Sequence, residues 1–511
     1  MIAASGTEGG WLCETGAVTD ASQTQSRPGA GPLPLTAVEI AAVTAGRLAV
    51  ASERPISGVA VDSRLVRPGN LFVALPGERT DGHRFVGAAL AAGATALLVS
   101  ELSDRDADLA RGVASVVVVP DTLLGLHAVA AAWRRRFSLL VVGVTGSIAK
   151  TSTKEAIAAV LAERFVTLKS EGNANNEIGL PLTTLRIGPE HQAAVLEMGM
   201  YVGGEIAQLA AIARPKIGVV TAVREVHLSR IGSIEAVERA KGELVEALPA
   251  DGVAVLNADD PRVVRMRDRT SARAITYGFA PDADVRAEDV VAAGLDGMGF
   301  TLVAPQGRVR TAIPALGRHG VHNGLAAAAV GLAAGLDLDL IAAGLRSGWH
   351  APHRDEIVRA GSLTILDDSY NASPASMLAA LELLATLPGR HVAVLGEMRE
   401  LGEANDRGHR EVGAAAAGLA EVIVVVGEGA AAIAAGAASL GGTVVTVADR
   451  DAAVAALREI LRPGDAVLVK ASRGAELDRI VESLVGSWGS WVAGAADGTD
   501  PLRRMDAEDD R

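Results

Sequence analysis

Short runs of apolar residues alternate with helix-like segments along most of this chain. In residues 96–99, 193–197 and 422–426 the apolar run is nearly continuous, which is typical of strands buried on both faces of a sheet. Segments such as 374–387 and 407–419 show the apolar spacing of helices that pack on such strands. The alternation predicts an α/β protein with mainly parallel sheets.

The alternation starts three times, so we expect three domains. Residues 33–136 are predicted to form a small N-terminal α/β domain. Residues 137–350 are predicted to form a central domain with a P-loop-like, mostly parallel sheet. Residues 351–487 are predicted to form a C-terminal Rossmann-like domain with five strands, but no G-x-G-x-x-G run follows its first strand, so we expect no nicotinamide cofactor.

Some segments depart from this alternation. Residues 35–50 have helical spacing, and residues 283–313 alternate strand-like pieces with glycine turns, which predicts an antiparallel appendage. Residues 1–32 are rich in small and polar residues and are expected to be a disordered leader. Residues 488–511 are acidic and rich in glycine and alanine, and are expected to be a mobile tail.

Composition narrows the class of protein. The 511 residues carry a net charge of −13 that is spread along the chain, so we expect no nucleic-acid partner. The single cysteine, Cys13, excludes a disulfide framework. No apolar run approaches the roughly 20 residues of a membrane span, and no secretion signal is recognisable at the start. We therefore expect a cytoplasmic protein without integral membrane association.

The strand at residues 139–144 leads into a small-residue loop and then a helix. A helix N-terminus attracts anions, a lysine adds positive charge, and a hydroxyl can bind Mg²⁺, so this arrangement predicts a phosphate site. A P-loop has glycine directly before the lysine, where this chain has Ala149, and an ordinary strand–turn–helix connection is the alternative. The predicted phosphate loop consists of Thr145, Gly146, Ser147, Ile148, Ala149, Lys150, Thr151 and Ser152.

Other polar residues follow predicted strands, where open α/β sheets bind their ligands. Glu197 ends one strand and His227 follows another, and each is either structural or a ligand of Mg²⁺. Lys241 lies on a predicted helix, where a solvated lysine is the simplest interpretation. Two polar turns are either ordinary caps and turns or substrate contacts: Asn173, Asn175 and Asn176 in one, and residues 367–371 in the other.

These motifs together resemble the Mur ligase family of ATP-dependent amide-forming enzymes. In the first domain the resemblance rests on Asp62-Ser63-Arg64 and on residues 68–77 and 81–83. In the central domain it rests on the loop above and on residues 172–181, 197–199, 227–228 and 240–243. The resemblance implies that the first domain holds a uridine nucleotide sugar. It also implies ATP and Mg²⁺, with Thr151, Glu197, His227 and a CO₂-carbamylated Lys241 as metal ligands.

The run at residues 367–374, Asp-Asp-Ser-Tyr-Asn-Ala-Ser-Pro, resembles the branch that adds D-alanyl-D-alanine. That branch implies UDP-N-acetylmuramoyl-tripeptide as the other substrate, and we expect a monomer. Lys150, Lys241 and His227 are then the expected catalytic residues, and Asn323 and Arg354 are further ATP contacts. The expected substrate-binding residues are Ser63, Arg64, Asn173, Asn175, Asn176, Asp368, Tyr370, Asn371, Ser373, Lys470, Ser472 and Arg473.

Several positions depart from the family pattern. Ala149 replaces a glycine, Ala222 stands where asparagine is usual, and Gly320 replaces the first asparagine of a His-Asn-x-x-Asn run. His353 precedes Arg354 where the family has glycine. These departures leave two alternatives open: a non-catalytic homologue that binds the nucleotide sugar peptide, and an amide ligase with another amino-acid acceptor.

Overall fold

The computed structural model describes residues 35–77, 80–224 and 231–496 of the chain. The predicted leader and residues 497–511 of the predicted tail lie outside this range. The described part contains three sheets and divides into two compact units. The first unit contains the described residues up to Val141 together with Ser170–Met198 and Gln208–Arg214; the second contains the remainder.

The first sheet has five strands in the order β1-β5-β4-β3-β2. All neighbouring pairs are parallel except β1 with β5. The strands are β1 Arg47–Val50, β2 Gly58–Ala60, β3 Asn70–Val73, β4 Ala96–Val99 and β5 Ser115–Val118. The helices of this region are Ala37–Val43, Val86–Ala91, Asp104–Ala110 and Thr122–Arg134. The predicted helix over 35–50 therefore ends at Val43, and the chain continues as a strand.

The second sheet has nine strands in the order β14-β13-β12-β11-β10-β9-β6-β8-β7. The strands are β6 Leu140–Thr145, β7 Thr167–Lys169, β8 Ala193–Glu197, β9 Ile217–Val220, β10 Val253–Asn257, β11 Arg273–Gly278, β12 Val285–Ala292, β13 Met298–Ala304 and β14 Gly307–Ile313. The helices are Lys150–Ala162, Gly179–Thr184, Glu205–Ala213, Ile234–Glu246, Pro261–Val264, Gly317–Ala333 and Leu338–Ser347.

The segment predicted as a separate appendage belongs to this second sheet. Strand β12 pairs in parallel with β11, and β13 and β14 then add antiparallel strands at the edge. The glycine turns were recognised correctly, but the sequence does not show that the first strand of the segment continues the parallel sheet.

The third sheet has six strands in the order β15-β16-β20-β17-β18-β19. The strands are β15 Glu356–Ala360, β16 Leu363–Asp367, β17 His391–Gly396, β18 Val422–Val426, β19 Val444–Val447 and β20 Ala466–Lys470. The helices are Pro374–Leu384, Asn405–Leu419, Ala431–Ser439, Arg450–Ile460 and Asp478–Ala496. We predicted five strands and missed β15, an antiparallel edge strand. The last helix also continues past residue 487, where we placed the end of the domain.

Both faces of the third sheet are buried. Along β17, Ala393 and Leu395 belong to one apolar cluster, whereas Val392 and Val394 belong to another. Because successive side chains point to opposite faces, a strand covered on both sides has to be apolar throughout. The predicted α/β class with mostly parallel sheets is confirmed. Within the described residues, no helix has both the length and the apolar composition to cross a bilayer.

Helices Asn405–Leu419 and Ala431–Ser439 pack closely because glycines lie at their contact. A methyl group on Gly413 would overlap the carbonyl oxygen of Ile433, and one on Gly436 would overlap that of Arg410. A methyl group on Gly418, on the same helix as Gly413, would meet no atom within 4 Å. Two glycines on one helix thus have opposite packing environments.

We expect Gly413→Ala to lower the free energy of unfolding by about 1–3 kcal/mol, because the helices would have to separate. Gly418→Ala is the matched control and should raise it by about 0.5–1 kcal/mol through helix propensity. Chemical denaturation of both variants measures the two effects. Equal changes in the two variants would contradict this account of the packing.

Candidate active site

The loop after β6 is held by contacts with the end of β9. The hydroxyl of Thr221 donates to the carbonyl oxygen of Ile148 (2.6 Å), and the Ser147 N–H donates to the carbonyl oxygen of Ala222 (2.8 Å). Gly146 has φ +151°, and a methyl group there would overlap the Thr221 hydroxyl. Glycine is therefore required at Gly146, and the loop has a defined shape.

Ala149 lies directly before the helix Lys150–Ala162 and has a left-handed conformation, with φ 64° and ψ 5°. Glycine reaches this region freely, whereas an alanine there costs about 1–2 kcal/mol. A methyl group disfavours a positive φ, and the backbone at Ala149 nevertheless takes one, so this position carries strain.

The loop brings Lys150 close to a second lysine. The Lys150 ammonium donates to the carbonyl oxygen of Gly146 (2.8 Å). Lys241, on the helix Ile234–Glu246, is 2% exposed. Its burial lowers the pKa of the amine well below the ordinary value, and the positive charge of Lys150 acts in the same direction. Lys241 is therefore a buried amine with a strong tendency to be neutral, and the bland interpretation of a solvated lysine was wrong.

Glu243, two residues after Lys241, partly offsets this effect because its charge raises the lysine pKa. Its carboxylate accepts hydrogen bonds from the backbone N–H groups of Gly204 (2.7 Å) and Ala207 (3.0 Å), at the start of the helix Glu205–Ala213. A carboxylate is favoured at a helix N-terminus. Glu243 therefore ties the helix that carries Lys241 to the start of the helix Glu205–Ala213.

In the first unit, Glu197 ends β8 and is 1% exposed. Its carboxylate accepts a hydrogen bond from the Asn175 side-chain amide (2.8 Å). The Asn176 side chain instead accepts from the Gly179 N–H (2.8 Å), next to the helix Gly179–Thr184, whereas Asn173 is exposed. The three asparagines therefore differ: Asn176 acts as a cap, and Asn175 positions a buried carboxylate.

The sequence analysis did not single out His127, on the helix Thr122–Arg134. Its Nε2 lies 2.6 Å from the carbonyl oxygen of Glu177, and the side chain is buried. Because a carbonyl oxygen only accepts, Nε2 carries the proton. His127 thus ties the first-domain helix to the asparagine turn, and only the tertiary contact reveals this.

A second group that the sequence analysis missed lies at the ends of β10 and β11. His322 Nε2 is 3.1 Å from the Asn257 side-chain oxygen and 3.3 Å from the Asp259 carboxylate. The His322 ring packs 5.0 Å from the Tyr277 ring and 6.0 Å from the Phe279 ring. This aromatic cluster combines flat faces with amide and carboxylate groups, which suits a planar heterocycle.

In the C-terminal part, Lys470 is 1% exposed at the end of β20. Its ammonium forms an ion pair with Asp368 and donates to the carbonyl oxygen of Asn371 (2.9 Å). Burial raises the pKa of the Asp368 carboxyl to about 7, although the charge of Lys470 acts in the opposite direction. The buried Lys470 therefore holds the polar turn of residues 367–371 in place.

The other predicted residues of this region have distinct surroundings. The guanidinium of Arg354 lies 4.1 Å from the centre of the Tyr370 ring, and that of Arg473 lies 5.8 Å from it. Ser373 caps the helix Pro374–Leu384, and the Ser472 hydroxyl accepts from the Arg399 N–H (2.9 Å). Arg354, Tyr370 and Arg473 thus form a cation–π group, whereas both serines have structural partners.

The remaining predicted residues lie elsewhere in the fold. Ser63 begins a short 3-10 helix, and the neighbouring Arg64 pairs with the Asp62 carboxylate while its own side chain stays 83% exposed. Asn323 accepts a hydrogen bond from the Thr153 hydroxyl (3.1 Å), which joins helix Gly317–Ala333 to the phosphate-loop helix. His227 lies outside the described residues.

Comparison with known proteins identifies the family. The family model for the Mur ligase middle domain matches residues 144–331, that for the Mur ligase glutamate ligase domain matches 353–473, and that for the Mur ligase family catalytic domain matches 55–134. The chain belongs to the Mur ligase family.

Individual relatives cover most of this Mur ligase chain. It is 38% identical over 435 residues to the UDP-N-acetylmuramoyl-tripeptide–D-alanyl-D-alanine ligase of Escherichia coli (strain K12). The match covers 84% of this chain and 94% of the relative. It is 38% identical over 501 residues to the ligase of the same name from Mycobacterium tuberculosis (strain ATCC 25618 / H37Rv), with 88% and 98% covered.

Solved structures of Mur ligases have the same fold as this chain. MurF from Acinetobacter baumannii superposes with a TM-score of 0.82 at 30% identity, covering 89% of this chain and 99% of that one. MurF ligase from Thermotoga maritima, in complex with ADP, has a TM-score of 0.74 at 29% identity, covering 85% and 98%. The three-domain expectation for a Mur ligase is consistent with the three sheets.

The residues of this Mur ligase fit the groups that the family implies. The N–H groups at the start of helix Lys150–Ala162 and the Lys150 ammonium suit the phosphates of ATP. The Thr151 hydroxyl, on the first turn of that helix, suits Mg²⁺. A buried amine with a lowered pKa suits carbamylation, because only a neutral amine attacks CO₂. No ion pair of Lys241 is found among the described residues.

We expect Ala149→Gly to raise the free energy of unfolding by about 1 kcal/mol, because glycine relieves the left-handed strain. Ala159→Gly, in the ordinary part of the same helix, is the control and should lower it by about 1 kcal/mol. Thermal or chemical denaturation measures both. A loss of stability in Ala149→Gly similar to that in the control would show that the strain is absent.

Proposed function

We propose that this Mur ligase joins D-alanyl-D-alanine to UDP-N-acetylmuramoyl-tripeptide with the conversion of ATP to ADP and phosphate, in peptidoglycan precursor synthesis. The observation that carries the proposal is the pairing of a phosphate loop with the buried amine of Lys241, in a chain whose relatives carry the name of this reaction. We further propose a cytoplasmic monomer.

The phosphates of ATP are proposed to lie on the loop Thr145–Ser152, where Lys150 meets the transferred group. When bound, Mg²⁺ would neutralise negative charge on the phosphates of ATP. Its proposed ligands are Thr151, Glu197, His227 and the carbamate of Lys241. Asn323 and Arg354 are kept as candidate ATP contacts. The aromatic cluster around His322 is proposed to bind the adenine base of ATP. Like the phosphate loop, this cluster lies at the carboxyl ends of parallel strands.

The reaction requires two displacements. The terminal carboxylate of the tripeptide attacks the γ-phosphorus, the bond to the β-phosphate oxygen breaks, and an acyl phosphate and ADP result. The dipeptide amine then attacks the acyl carbon, and a tetrahedral intermediate expels phosphate while the amine loses a proton. Lys150 stabilises the negative charge on the transferred phosphoryl group, and this electrostatic effect is the main contribution of the loop.

The two peptide substrates are proposed to use separate groups of residues. Ser63 and Arg64 would bind the uridine nucleotide part, and Asn173, Asn175 and Asn176 would lie near the peptide. Around the polar turn, Arg473 and Tyr370 offer a cation and an aromatic ring that suit the dipeptide. The remaining proposed contacts are Asp368, Asn371, Ser373, Lys470 and Ser472.

Phosphate release from ATP tests the function. We expect release only when both UDP-N-acetylmuramoyl-tripeptide and D-alanyl-D-alanine are present. Lys150→Ala should lower the rate about 10²–10³-fold because transition-state charge loses its partner. Lys216→Ala, which removes an exposed lysine paired with Asp251, is the control and should keep the wild-type rate.

The outcomes also separate the alternatives. Binding of the sugar peptide with no phosphate release would indicate a non-catalytic homologue. Release that depends on a different amino acid or dipeptide would indicate another acceptor. Full activity of Lys150→Ala would overturn the role given to the loop.

Carbamylation of Lys241 can be tested apart from turnover. With ¹³C-labelled bicarbonate at pH 8, we expect a ¹³C NMR carbamate signal from Lys241, separate from that of the N-terminal α-amine, because burial lowers the pKa of this lysine and only a neutral amine reacts with CO₂. Lys241→Met, which retains an apolar chain of similar length, should lose the signal and the ligase activity. Lys216→Ala should retain both, and persistence of this signal in Lys241→Met would assign the carbamate elsewhere.

A further inference from the structure

Three possible metal ligands meet at the edge of the third sheet, away from the loop at Lys150 in the sequence. His353, Glu356 and Asp367 each offer one ligand atom, and these atoms lie within 4.8 Å of one another. His353 Nδ1 is 2.8 Å from a carboxylate oxygen of Asp367, and the His353 backbone N–H donates to Glu356 (3.0 Å). One imidazole and two carboxylates thus converge.

Strand pairing forces the two carboxylates together. Glu356 begins β15 and Asp367 ends β16, and the antiparallel register places them directly opposite each other. Like charges at directly opposed positions are destabilising. A positive charge between them would remove this cost, and the side chain that lies there is His353.

A third carboxylate adds to the negative charge. Asp478 is close enough for its charge to act on His353, and one of its oxygens pairs with Arg473 at 2.7 Å. Its other oxygen, Oδ1, is buried and has no hydrogen-bond partner among the described residues. Two carboxylates therefore meet the imidazole directly, and the nearby Asp478 keeps one buried oxygen without a donor.

We propose that His353, Glu356 and Asp367 bind a divalent transition-metal ion, for which Zn²⁺ is the best-fitting candidate. Imidazole nitrogen and carboxylate oxygen are ordinary zinc ligands, and three protein ligands leave one position for water. The site is distinct from the Mg²⁺ site of the proposed ligase reaction, to which none of these three residues is assigned. It depends on neither ATP nor the peptide substrates.

The ligand geometry requires only a small adjustment. Two ligands of a tetrahedral zinc ion at about 2.0–2.1 Å lie about 3.4 Å apart. The present separation of His353 and Asp367, 2.8 Å, is that of a hydrogen bond. The ion takes the lone pair of Nδ1, the proton shared with Asp367 passes to solvent, and Nε2 keeps its proton. The distance between His353 Nδ1 and the Asp367 oxygen therefore increases by about half an ångström, which ordinary side-chain movement allows.

The site is open on one side, so that an ion can enter. The His353 side chain is 35% exposed, whereas that of Asp367 is 2% exposed. The site therefore has an open side and a buried anchor.

A bound ion would also fix the neighbouring turn. The carbonyl oxygen of His353 accepts a hydrogen bond from the Tyr370 N–H (3.1 Å), and Arg354 lies over the Tyr370 ring. The ion would therefore join the segment before β15 to the end of β16, with Arg354 held between them.

Titration of the full chain with ZnCl₂ at pH 8, with excess MgCl₂ and no nucleotide, tests the site. We expect one zinc ion that is lost in His353→Gly, with a fall in affinity of at least about 100-fold. This variant should fold, because His353 has φ 58°, where glycine is unstrained. Co²⁺ in place of Zn²⁺ should give a visible absorption band in the wild type that His353→Gly lacks.

Two further variants complete the test. Glu356→Gln keeps the shape of the side chain and should also weaken zinc binding, whereas His350→Ala, which removes an exposed histidine 3.8 Å from Glu356, should not. Zinc should raise the thermal midpoint of the wild type and of His350→Ala but not of His353→Gly. Equal zinc binding by wild type and His353→Gly, or none by the wild type, would overturn the proposal whether or not the ligase reaction is found.

Discussion

The tight contact between the phosphate loop and the end of β9 is the constraint on which the proposed ATP site depends. The Thr221 hydroxyl occupies the space that a side chain on Gly146 would need, and it holds the loop through Ile148. This contact directs the chain into the helix Lys150–Ala162 with its N–H groups at the loop. The position of Lys150, and through its charge the state of Lys241, follows from this turn.

Among the described residues three lysines are buried, Lys154, Lys241 and Lys470, and their partners differ. Lys154 pairs with Glu155, and Lys470 pairs with Asp368 and donates to the carbonyl oxygen of Asn371, so that ion pairs and hydrogen bonds compensate for lost hydration. Burial lowers the pKa of Lys241 well below the ordinary value, and the positive charge of Lys150 acts in the same direction. The partners of a buried lysine therefore indicate its role, because an ion pair favours the cation and a positive neighbour favours the neutral amine.

The departures from the family pattern have separate physical explanations. Ala149 accepts left-handed strain at the position where a P-loop has glycine. Gly320 lies in close contact with Ala315, where a larger side chain would collide. His353 also takes a left-handed conformation, and its imidazole meets two carboxylates that a glycine would leave facing each other. The first two are changes of packing and strain, whereas the third adds a chemical group.

The sequence by itself determined the α/β class and most strands, because strands buried on both faces must be apolar throughout, as β17 shows. It also determined which polar residues follow those strands, since a motif such as Asp367–Asn371 is local in the chain. It could not place β15, whose partly exposed residues lack a continuous apolar pattern, or join β12 to the parallel sheet. The tertiary structure alone decided that Lys241 is buried, that His127 reaches Glu177, and that Glu356 faces Asp367. Burial, charge proximity and strand register are set by residues far apart in sequence, and no local pattern records them.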